Sequence, residues 1–64
     1  MQPLKYLVLS WTNAAAVLVG VFHNASSARQ AAEAVPLTGG TIGAGIVPLV
    51  GSENLEVVQG VAQN

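Results

Sequence analysis

LKYLVLSWTNAAAVLVGVF, residues 4–22, decides the fold. Its first part, Leu4 to Trp11, is strand length and dense in aromatic and branched apolar residues. Strand alternation puts Leu4, Tyr6, Val8 and Ser10 on one face and Lys5, Leu7, Leu9 and Trp11 on the other. Thr12-Asn13 follows as a tight turn. Asn tolerates positive φ there, although the pair lacks the glycine of the strongest hairpin signals. Ala14 to Phe22 reads as the second strand of a hairpin, with Val17, Val19 and Val21 on one face and Leu18, Gly20 and Phe22 on the other.

Beyond the hairpin, His23-Asn24-Ala25-Ser26-Ser27 signals a helix start, because Asn and Ser side chains accept hydrogen bonds from the free amides of a first turn. Ala28, Ala31, Ala32 and Val35 then fall on one helical face at i, i+3, i+4 and i+7. That face is mostly alanine, so the helix can lie close to a sheet while its own burial contributes little. Pro36 stops it after about three turns. Leu37 to Gly40 is a loop. Thr41 to Val50 reads as a third strand, with Ile42, Ala44 and Ile46 alternating against Gly43, Gly45 and Val47; Pro48 points to a sheet edge or a strand end. After the turn Gly51 to Asn54, residues 55–63 satisfy two patterns. Leu55, Val57 and Val61 fit alternation, whereas Leu55, Val58, Val61 and Ala62 fit a helix; Val57-Val58 and Gly60 tilt towards a strand.

These elements predict a single small α+β domain over residues 1–64. Its order is β-β-α-β, with one helix on one face of a small antiparallel sheet. Residues 53–64 form either a fourth strand or an extended C-terminal arm. The strand order is not fixed by this pattern.

Composition sets the functional expectation. A domain of this size buries only roughly 60% of the surface its unfolded chain exposes, so it usually needs help from disulfides, a metal or partners. Cysteine is absent, there is one histidine, and acidic side chains number three. Disulfides and thiolate sites are therefore excluded, and a zinc site normally takes about four His or Cys ligands. Partners are left. Charged residues make up 8% of the chain, against about 25% in typical soluble domains. Gly, Ala, Ser, Thr, Asn and Gln stand where Lys and Glu would normally keep a free monomer soluble. Residues 14–22 and 41–50 carry no charge at all. A neutral sheet edge invites pairing unless something covers it; two interior strands would need no such cover.

Hydropathy offers other readings. Residues 6–24 carry no formal charge apart from any on His23 and run to about 19 residues, close to the ~20 of a membrane span. Residues 35–52 are also uncharged and set Gly39 and Gly43 at helix-packing spacing. Against a helical hairpin stand Ser10, Trp11, Thr12 and Asn13 inside the first stretch, Pro48 and five glycines in the second, and β-branched residues throughout. Met1 to Lys5 and Ser26-Ser27-Ala28 also fit the ends of a signal peptide, but cleavage would leave a remnant too small to fold alone. Asn24-Ala25-Ser26 matches the N-glycosylation pattern; Asn24 serves better as a helix cap.

Chemistry is sparse. His23 has no orienting partner and no nucleophile pattern around it beyond Ser26 and Ser27. Gly39 to Gly45 runs G-x-x-G-x-G, not the G-x-G-x-x-G of a dinucleotide loop, and a proline-containing apolar run follows it. Lys5 and Arg29 are the only cations, too few for a nucleic-acid footprint. Tyr6 and Trp11 fall on opposite faces, so they form no stacking platform; both read better as core or interface anchors. No catalytic, cofactor or metal residue is assigned, and the chain is expected not to be an enzyme.

Residues 5–50 resemble a loose class of very short phage-encoded proteins. The likeness lies in Tyr6 to Trp11, Gly20-Val21-Phe22, Ser26-Ser27-Ala28, Ala31-Ala32 and Ile46-Val47-Pro48. Most of that class is far more charged. The low charge here favours a virion component, since capsid and tail proteins bury most of their surface. The resemblance implies a capsid decoration, cement or tail protein in the virion, self-associating or bound to a capsid or tail protein. The alternatives are a small inhibitor or regulatory protein that binds a host enzyme, in the cytoplasm, and a membrane peptide. The expected contact residues are Trp11, Val17, Val19, Val21, Ile42, Ile46, Leu49, Leu55 and Val57.

Overall fold

The chain was analysed as a computed structural model, which describes residues 5–49 and 54–62. Five elements follow in order: β1 (Tyr6–Trp11), β2 (Ala16–Phe22), α1 (Ala25–Glu33), β3 (Gly43–Pro48) and β4 (Glu56–Gly60). The strands form one antiparallel sheet in the order β2-β1-β3-β4, and α1 packs on one face of it. The expected α+β class and the β-β-α-β order hold, and the tail supplies the fourth strand. Pairing with β3 resolves its two patterns in favour of the strand. Of the expected extended arm, residue 53 and residues 63–64 lie outside the described residues, as do Leu4 and Val50 of the expected first and third strands.

The hairpin turn works without glycine. Thr12 donates its N–H to Ala15 O at 2.8 Å, and Thr12 Oγ1 accepts from the N–H groups of Ala14 and Ala15 at 3.1 and 3.2 Å. A threonine hydroxyl thus does locally what a positive-φ turn does elsewhere. Because β2 and β3 are each antiparallel to β1, they run parallel to one another and need a crossover connection, which α1 supplies. The helix starts at Asn24, whose backbone is extended (φ −137°, ψ 126°) and whose side chain accepts from Ser27 N–H at 3.1 Å. Such a cap stabilises a helix by about 1 kcal/mol.

The helical periodicity of the sequence lands where expected. Ala28 and Ala32 are fully buried, and Ala31 and Val35 pack beside them. They meet Val8, Ala44 and Ile46 from the sheet, with Tyr6, Phe22 and Val58 closing the rim. Of the buried core side chains in this layer, only Val8 and Ile46 exceed alanine in size. At about 0.8 kcal/mol per buried methylene, the layer is thin.

Two strands carry an irregularity that sequence alternation does not show. In β2, Gly20 lies opposite Val8 but Leu18 lies opposite Leu9, so Val19 is an extra residue. The bulge resets the alternation. Val17 therefore shares the helix-side register of Gly20 and Phe22, while Leu18 shares the opposite face with Val21. The expected common face for Val17, Val19 and Val21 is corrected accordingly. In β4, Val58 is the extra residue between Val57, opposite Gly45, and Gln59, opposite Ala44. The strand order also settles the edge question. β3 is interior, and Pro48 sits at its end; β2 is an edge along all of its uncharged length.

Candidate interaction surface

The face of the sheet away from α1 is built by β1. Tyr6, Val8 and Ser10 turn towards the helix, so Leu7, Leu9 and Trp11 turn the other way. Register puts Val47, Gly45 and Gly43 of β3 opposite them on one flank, and Val21, Leu18 and Ala16 of β2 on the other. Leu55 and Val57 extend the face at β4. Leu18, Val21, Leu55 and Val57 are exposed, and Leu7, Leu9 and Val47 are half-buried.

One part of this face is closed. Trp11 is 2% exposed, and its indole reaches over the two glycines of β3. A Cβ on Gly43 would come within 2.7 Å of Trp11 Nε1, and one on Gly45 within 3.1 Å of both Trp11 Cη2 and Leu55 Cδ1. The two glycines are thus the floor on which the ring rests. Trp11 Nε1 donates to Val61 O at 2.7 Å, which satisfies the one polar atom of a buried indole. Gly60 makes that contact reachable. Its φ of 76°, costly for any residue with a side chain, turns the chain off the end of β4 so that Val61 N–H donates to Ile42 O at 2.9 Å.

The ionisable groups are unequally shared between the two sides. Arg29 and Glu33 are on α1, and Glu56, opposite Ile46, is on the helix side of β4. Arg29 Nη2 donates to Glu56 Oε2 at 2.8 Å. That hydrogen bond, and then the opposite charge, hold the Arg29 guanidinium above its ordinary pKa. Both side chains are about half exposed, so water screens the pair. On the opposite face Lys5, beyond the end of β1, is the one charged side chain among the described residues.

The contact residues expected from sequence divide into three groups. Val17, Val19, Val21, Leu55 and Val57 are exposed, Val17 the most at 61%. Ile42 and Leu49 are half-buried and extend the ladder, their N–H groups donating to Trp11 O and Lys5 O at 2.9 Å each. Ile46 and Trp11 are buried within the chain itself. Ile46, 4% exposed, belongs to the core beneath α1, because its alternation partner Ala44 faces the helix. Trp11 is an anchor within the fold and presents almost no surface. Sequence reasoning missed Leu7, Leu9, Leu18 and Val47. The signal for the leucines of β1 was present, since their face had been separated from that of Val8.

Gln59 was also missed. Its Nε2 donates to Ala32 O and Val35 O at 2.7 Å each, with Glu33 O at 3.2 Å. A side chain from β4 thereby binds carbonyls at and just beyond the end of α1, of which Ala32 O also accepts the Val35 N–H at 3.4 Å. Among the described residues no three His or acidic side chains come together. No described helix is long and apolar enough to cross a membrane; residues 6–24 hold β1 and β2, and residues 35–52 hold β3. The chain matches no protein-family model, no curated protein and no solved structure.

Proposed function

We propose that this chain is a structural or interaction component of a larger protein assembly, working by contact and not by catalysis. One observation carries the reading. The interior strand β1 is apolar on both faces, the pattern of a strand covered on both sides, yet the described residues supply a covering layer for one face only. Leu7, Leu9, Leu18, Val21, Val47, Leu55 and Val57 are left as a neutral surface of the kind that marks an interaction site. The uncharged β2 edge adds unpaired backbone groups at its margin. The resemblance to short phage-encoded proteins extends the proposal to a capsid decoration, cement or tail protein.

The test is a photo-crosslinking residue at position 18, introduced in the producing cells and followed by mass spectrometry. A covalent adduct to a defined protein, lost when the crosslinker is moved to Arg29 on the helix, is the expected result. Copy number in purified particles then separates the structural role, with many copies, from an enzyme inhibitor, with none. A chain that forms no adduct at position 18 and stays monomeric at high concentration overturns the proposal.

A further inference from the structure

We infer that the outer edge of β2 takes up one further strand, an extended and uncharged segment of the partner protein, which makes β2 an interior strand of a sheet shared by two chains. The inference rests on the assembly role proposed above and names the mode of contact.

The backbone says what kind of occupant fits. Ile42 N–H donates to Trp11 O and Leu49 N–H to Lys5 O, so Lys5, Leu7, Leu9 and Trp11 turn their backbone groups towards β3. In an antiparallel ladder, opposite residues either exchange both hydrogen bonds or both turn away. The β2 residues opposite Leu7, Leu9 and Trp11 are Val21, Leu18 and Ala16. Each therefore aims its N–H and C=O off the edge, where no strand lies among the described residues. An extended polypeptide complements such a row.

The side chains say which of the two edges is open to it. Val17 lies on the helix side of β2 yet is 61% exposed, and Leu18 and Val21 on the other side are exposed as well. β2 is thus apolar and uncovered on both faces, and a partner segment beside it is apolar on both faces too. An edge strand normally carries a charge or a proline; β2 carries neither. The opposite edge is defended. β4 has five residues, its Glu56 is paired with Arg29, and Gly60 at φ 76° turns the chain away.

The bulges select another protein over a second copy. Across a two-fold axis, a second β2 is regular only over residues 16–18 before Val19 intervenes, and β4 is interrupted at Val58. Three residues fall short of the about five to six of a usual strand, and both edges of a second copy are already fixed in its own sheet. A segment not held in a sheet can follow the kink past Val19 to Val21.

The experiment places the photo-crosslinking residue at position 18 and then at position 16 of the full chain in the producing cells, and maps the partner residue joined in each case by mass spectrometry. Strand addition should shift the joined residue by about two positions along one uncharged partner segment. Ala16→Pro then removes an outward N–H and fills its place with little change in side-chain bulk, a substitution that an edge strand tolerates. With the fold checked by circular dichroism, it should cut the adduct yield at position 18 by about tenfold or more. Joined residues scattered over several partner elements, or a yield unchanged in folded Ala16→Pro, overturn the edge contact while leaving the assembly role standing. The two-residue step decides even where Ala16→Pro fails to fold. An adduct to a second copy of this chain overturns the partner named here, and no adduct from either position overturns the inference together with the role beneath it.

Discussion

On the helix side of the sheet, Val8, Ala44 and Ile46 meet Ala28 and Ala32 and are closed from water. On the other side, Leu9 and Leu18 lie opposite one another, and the described residues place no second layer above them. Both faces come from the same strands and are comparably apolar. What separates them is that the described residues include one helix, which covers one face. The difference teaches that side-chain alternation states a demand for burial on each face, whereas the number of covering elements states how much of that demand the chain meets itself. Substitutions on the helix side should cost folding; those on the open side should cost association.

Trp11 breaks that simple division and gives the largest expected effect. It faces the open side yet is buried, so Trp11→Ala should destabilise by about 3–5 kcal/mol, comparable with the whole stability of a small single-core domain. Circular dichroism with urea titration at 25 °C should find it largely unfolded; a folded variant would mean that the glycine floor holds the sheet without the ring. Gly43→Ala probes the same floor from below. Its Cβ meets the indole and the Val61 carbonyl, and overpacking of this kind costs about 1–3 kcal/mol. The midpoint of urea unfolding should fall with an unchanged slope.

Gln59→Ala sharpens the comparison on the helix side. It removes the donors that join β4 to the end of α1, at a cost of about 1–2 kcal/mol. Amide hydrogen exchange should quicken first in the last turn of α1 and not in β1. The smallest effect belongs to the open face. Leu18→Thr should change unfolding free energy by no more than about 0.5 kcal/mol in the isolated chain, while weakening its capture of the partner protein in a pull-down. A large loss of monomer stability there would erase the distinction between the two faces.

Much of this was legible in the sequence. The helix face of Ala28, Ala31, Ala32 and Val35, the cap at Asn24 and the alternation of β1 are local patterns, set by 3.6- and two-residue periods. What failed was whatever depends on pairing. Val17, Val19 and Val21 do not share a face because Val19 is inserted relative to β1, and a bulge leaves no mark in a run of valines. Ile46 was expected at a contact and lies in the core because β3 is interior, which follows from strand order. Gln59 carries no local signal of its role, because its carbonyl partners lie 24 to 27 positions away in the chain.

The hydrogen bond from Trp11 to Val61 joins positions 50 apart in the chain. Closing so wide a loop costs more entropy than forming the adjacent hairpin. The hairpin of β1 and β2 is accordingly available early, and the indole is secured only when the last strand arrives. Trp11 is the chain's one tryptophan, so its fluorescence should follow the joining of Val61 to the sheet more closely than the forming of the hairpin turn.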